Sequence, residues 1–89
     1  MGKRVNILIF GTTPPCQKCL QAEKEARQAA ARFPPGEVAV EKQDALSETG
    51  QKYGIVITPA VVMNGRVVSA GRLLKEPELV ELIRKEMGD

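Results

Sequence analysis

The chain has no histidine, no tryptophan, three aromatic residues and two cysteines among its 89 residues. Each scarcity narrows the function. Few aromatics, and 13 basic residues nearly balanced by 11 acidic ones for a formal charge of +2, leave neither the basic stripe nor the stacking platform of a nucleic-acid binder. No such partner is expected. Long apolar runs are also missing. Lys3 and Arg4 precede an apolar stretch as in a signal peptide, but only Ile7 to Phe10 is uninterrupted. A secretory core needs about 7–15 such residues and a spanning helix about 20. A cytoplasmic protein with no membrane partner is the expectation. The length suits one modest core, hence a single domain over residues 1–89 carrying one site, with a monomer expected.

The two cysteines, Cys16 and Cys19, lie in the stretch GTTPPCQKCL, Gly11 to Leu20. A cytosolic compartment keeps thiols reduced, and small disulfide scaffolds use more bridges, so weight shifts from a structural staple toward chemistry. The surroundings sharpen this. Val5 to Phe10 is apolar and rich in branched residues apart from Asn6, which predicts a strand central in a sheet. Pro14 and Pro15 then forbid strand continuation, and Pro15 suits the first turn of a helix predicted from about Cys16 to Arg32. Cys19, Ala22, Ala26, Ala29, Ala30 and Phe33 form its apolar stripe, and Glu23 with Arg27 makes a favourable pair one turn apart.

Pro34-Pro35-Gly36 ends that helix. Val38 and Val40 alternate with charged neighbours as in a half-buried or edge strand ending near Asp44. Its charged end, Glu41, Lys42 and Asp44, needs no role beyond solubility and edge protection. A short helix over Ala45 to Tyr53 is expected, with Leu46 and Tyr53 inward and Gly54 stopping it. Two short strands, AVVM and RVVSA, flank Asn64-Gly65, the strongest hairpin signal in the chain. Pro77, with Glu76 and Glu78, opens a last helix whose apolar face is Leu79, Leu82, Ile83 and Met87. The order β-α-β-α-β-β-α predicts an α/β fold. A mixed four-stranded sheet is flanked by helices on both faces, and its first two strands are parallel.

Cys16 thus falls where a helix begins after a buried strand. Unpaired N–H groups and the positive end of the helix dipole stabilise a thiolate there, and Lys18 is a candidate for tuning it, although a solvated lysine is the commoner role. Thiols at such ends fall from ~8.5 to roughly 3.5–7.5. Cys19 lies one turn further in, more buried, and near enough to close a disulfide with Cys16. Thiol–disulfide exchange, with Cys16 as nucleophile and Cys19 as resolving thiol, is one reading of the pair. The others are an inert structural pair, or thiolate ligands for Cu(I) or Zn. Zn has few ligands available in a chain without histidine or further cysteines.

The strand, then CQKC at a helix start, KYGI (Lys52 to Ile55), TPA (Thr58 to Ala60) and the Asn-Gly hairpin together resemble the thioredoxin-like superfamily, especially its small bacterial and archaeal thioredoxin- or glutaredoxin-like proteins. The resemblance covers nearly all of the chain from Val5. It implies a thiol-disulfide oxidoreductase acting on disulfide-containing proteins. A reductase or low-molecular-weight thiol would donate electrons, and no cofactor or metal is required. It also implies that Pro59 is cis and faces the cysteines, and that the backbone of Thr58 pairs with extended substrate. Pro15 and Ile57 complete the implied substrate-binding set. The chain departs from the family in three places: Pro15, Gln17 and Lys18 stand where thioredoxins have Trp, Gly and Pro around the cysteines, Phe10 stands where they have a buried aspartate, and Arg72 follows Gly71 where glutaredoxins hold glutathione. Arg72 is a candidate contact for a glutathione or substrate carboxylate, although a solvated surface charge is the commoner role. A binding module using the groove walls Ile57, Thr58 and Ala70 without turnover is the alternative in another class.

Overall fold

The computed structural model describes residues 4–12 and 17–88, and Pro15 and Cys16 lie outside them. The elements run β1 (Val5–Gly11), α1 (Gln17–Ala30), β2 (Val38–Asp44), α2 (Glu48–Lys52), β3 (Ala60–Met63), β4 (Arg66–Ala70) and α3 (Glu76–Met87). The sheet order is β2-β1-β3-β4. β1 and β2 are parallel, from Val5 against Val38 to Gly11 against Asp44, while β3 is antiparallel to both β1 and β4. β1 is therefore inside the sheet and β2 on its edge, as their apolar patterns predict.

Alternation along β1 divides the interior. Val5, Ile7 and Ile9 point to one face, where they pack with Ala22, Ala26 and Ala29 of α1, Leu79 and Ile83 of α3, and Val61 and Met63 of β3. Phe10 points to the other, meeting Ile55, Ala60 and Val62, with Leu8, Ala45 and Tyr53 against them. The Phe10 and Tyr53 rings are tilted, 6.2 Å between centroids. Tyr53 is thus inward, as expected. In the hairpin, Asn64 (φ 50°) and Gly65 (φ 82°) are both left-handed, the conformation a two-residue turn of this kind needs. Asn64 also ties the turn to β1: its N–H donates to the Asn6 carbonyl (2.9 Å), and its Oδ1 accepts the Asn6 N–H (2.8 Å).

Two expected helices differ in extent. α1 ends at Ala30, and Arg32 and Phe33 donate to Ala29 and Ala30 in tighter turns. Phe33 still packs on the core. α2 begins only at Glu48, so Leu46 lies outside it and is 85 % exposed rather than inward. The cause is local. Asp44 Oδ1 accepts the Leu46 N–H (2.8 Å) and Ser47 Oγ accepts the Gly50 N–H (3.2 Å), so residues 45–47 form a capped turn in place of a first helical turn.

The N-cap of α3 is Lys75, whose side chain supplies no hydrogen bond to the helix. Glu25 of α1 substitutes, its Oε1 accepting the Glu76 N–H at 2.6 Å. A carboxylate here meets both an unpaired donor and the positive end of the helix. Glu25→Ala is expected to cost about 1 kcal/mol, or roughly 4–8 °C in melting temperature. Glu25→Gln keeps an acceptor and most of the stability. Thermal unfolding of both variants checks this.

Candidate functional site

Of the residues singled out in the sequence, Cys19, Thr58 and Pro59 lie toward one end of the sheet, and Pro15 and Cys16 are outside the described residues. Gly11 and Asp44 are partners at the carboxyl ends of the parallel strands, Phe10 faces Ala60, and Ala60 faces Ala70. α1 begins at the same end, five residues after Thr12, and the Thr58-Pro59 segment enters β3 there. Ligands commonly bind outside the carboxyl ends of parallel strands, where the chain leaves the sheet and backbone groups become available.

Cys19 is on the buried stripe of α1 and is 1 % exposed. Lys18, one residue earlier, is exposed beside a shallow depression with Gln17, Leu20, Gln21, Lys24 and Leu73. The first turn of α1 has no acidic residue to oppose a negative charge at its start. The Thr58-Pro59 bond is cis, as the resemblance implies. Pro59 is buried, Thr58 half-buried, and Ile57 56 % exposed. The Pro59 carbonyl accepts the Gly71 N–H (2.9 Å), and a Cβ at Gly71 would fall 2.5 Å from Ile57 Cγ2, so the β4 end closes tightly on this segment. Ala70 is exposed next to it.

A groove of about 480 Å³ opens alongside, lined by Thr12, Asp44, Ala45, Leu46, Ile55, Val56 and Thr58. Its rim is apolar, with Val56 89 % and Leu46 85 % exposed. These two side chains leave aliphatic surface open to solvent beside the groove. Sequence reasoning missed Leu46, Val56 and Gly11. Leu46 and Val56 read as ordinary apolar residues, and only the capped turn shows that the first is outside the core. Gly11 left one signal, a glycine closing an otherwise bulky strand, which often marks a close approach by another part of the chain.

Arg72 is exposed and pairs with Glu78 on the surface. Phe10 is fully buried among apolar side chains. Among the described residues, no three of histidine, cysteine, aspartate and glutamate are grouped to hold a metal, and no helix is long and apolar enough to cross a membrane.

A family model described as "Thioredoxin domain" matches residues 4–84. The chain is 34 % identical over 86 residues to a thioredoxin of Methanocaldococcus jannaschii, covering 94 % of this chain and 98 % of that one. It is 36 % identical over 85 residues to a probable thioredoxin of Methanothermobacter thermautotrophicus, covering 93 % and 96 % respectively. Among solved structures, chloroplastic thioredoxin z superposes with a TM-score of 0.78 at 20 % identity, covering 98 % of this chain and 81 % of that one. Thioredoxin-2 of the malaria parasite gives 0.75 at 19 % identity, covering 96 % and 85 %. The structural likenesses concern the fold alone.

Proposed function

Because the chain belongs to the thioredoxin family, we propose that it reduces protein disulfides by exchange through Cys16 and Cys19. The observation that carries this reading is the burial of Cys19 on the first turns of α1, at the sheet end where the cis Thr58-Pro59 segment and the apolar groove also lie. Cys16 precedes it by three residues in the sequence, one residue before the described start of α1 at Gln17.

The chemistry runs in two displacements. The Cys16 thiolate attacks one sulfur of the substrate disulfide, the S–S bond breaks, and the departing thiolate takes a proton from solvent. Cys19, losing its proton, then attacks Cys16 Sγ. The mixed disulfide breaks, the second substrate sulfur leaves as a thiolate, and a Cys16–Cys19 disulfide remains. Two electrons have passed to the substrate. A reductase or a small dithiol restores them. Pro15, Ile57, Thr58 and Pro59 are proposed to hold the substrate, the backbone of Thr58 aligning an extended segment, while Leu46 and Val56 cover an apolar side chain near its cystine. Lys18 is proposed to favour the thiolate of Cys16, and the protein to work as a cytoplasmic monomer.

Turnover of a protein disulfide such as that of insulin, with dithiothreitol as electron source, tests the reading. The protein is expected to accelerate reduction at substoichiometric amounts. Stable complex formation without acceleration is the outcome a binding module gives, and metal retained by the purified thiols is the outcome of the thiolate-ligand reading.

A further inference from the structure

Gly11 ends β1 where Cys19 packs against it. A Cβ built on Gly11 would lie 3.0 Å from Cys19 Cβ and 3.1 Å from Cys19 Sγ, inside the ordinary contact range of about 3.5–4.0 Å. With a side chain at residue 11, Cys19 must give way by a few tenths of an ångström. The reason is space and not backbone conformation, since Gly11 is not among the glycines of positive φ.

The β1 side of this contact is held in place, so the Cys19 side is the one that gives. Gly11 has the parity of Val5, Ile7 and Ile9, so its missing side chain faces α1. Its carbonyl accepts the Ala45 N–H at 2.9 Å, extending the pairing with β2, and the preceding Phe10 is locked in the opposite core. On the helix side, Ala22, Ala26 and Ala29 already bring α1 close to the sheet with side chains that have no atoms left to move. An added methyl group at residue 11 is therefore relieved by displacing Cys19.

We propose that Gly11 is a positioning residue for the resolving thiol: it sets where Cys19 Sγ rests, and so how readily that sulfur reaches Cys16 once Cys16 is joined to substrate. This role rests on the exchange proposed above. It divides the two displacements between elements. Attack by Cys16 depends on the start of α1, whereas release depends on the end of β1.

A small aromatic disulfide, dithiobis-nitrobenzoate, separates the steps because each releases one coloured thiolate. Attack by Cys16 releases the first, and attack by Cys19 on the mixed disulfide releases the second. Gly11→Ala is expected to leave the first phase within about twofold and slow the second at least about tenfold, since displacing reacting atoms by a fraction of an ångström is costly in intramolecular steps. A second phase as fast as in the unaltered protein overturns the proposal while leaving exchange standing. Release of only one thiolate by the unaltered protein instead contradicts exchange itself, and this role with it. If Gly11→Ala does not fold, as judged by circular dichroism, it is combined with Cys19→Gly and compared with Cys19→Gly alone. Recovery of folding supports the contact as the reason for glycine, and equal damage in both backgrounds overturns it.

Discussion

Cys16→Ser is expected to lower turnover of protein disulfides by at least about two orders of magnitude, because a hydroxyl at neutral pH supplies no nucleophile comparable to a thiolate. Circular dichroism of the variant separates loss of the nucleophile from loss of the fold. Cys19→Ser should behave differently. It retains the first displacement, lacks the second, and accumulates a mixed disulfide on Cys16 that mass spectrometry detects. Equal residual turnover in the two variants, without the adduct, contradicts the assignment of nucleophile and resolving thiol.

Gly50→Ala should produce the largest loss of stability. Alanine is the better helix former by about 1 kcal/mol, so propensity alone predicts a gain in α2. Space predicts the reverse. A Cβ at Gly50 would lie 2.1 Å from the Ala45 carbonyl oxygen and 2.7 Å from its carbon. That carbonyl belongs to the turn that Ser47 fastens to α2, so relief requires moving backbone. Overpacking of this kind costs about 3 kcal/mol, leaving a net loss of about 2 kcal/mol, or roughly 8–16 °C in melting temperature. Ala45 and Ile55 flank the apolar groove, and the Gly50 carbonyl accepts the Ile55 N–H at 2.9 Å, so the groove should loosen as well. Urea and thermal unfolding measure the effect. A melting temperature unchanged or raised contradicts the steric account.

Much of the architecture was legible where one local rule dominates. Asn64-Gly65 between apolar runs announced the hairpin, because few other residue pairs accept two left-handed positions in succession. The apolar run of β1 against the charged alternation of β2 distinguished an inner strand from an edge strand, since burial on two faces and on one leave different patterns. The alanine stripe gave the inward face of α1. Features set by competition or distance were hidden. Leu46 looks like a core residue until Asp44 and Ser47 claim the backbone N–H groups around it and shorten α2. Gly11 looks like punctuation between strand and helix, and only the position of Cys19, eight residues later, shows what its missing side chain admits. The cis bond before Pro59 came from family resemblance and from nothing in the local sequence, as most such bonds are trans.

The central claim is that Cys16 and Cys19 exchange two electrons with a substrate disulfide, and one stoichiometric turnover tests it most directly. Fully reduced protein is mixed with a protein disulfide in the absence of any other reductant, quenched in acid, alkylated and mapped by mass spectrometry. The account predicts one substrate disulfide reduced for each chain oxidised, with Cys16 and Cys19 of the same chain joined and protected from alkylation. An intact substrate with both cysteines alkylated, or oxidation that links separate chains instead, contradicts it.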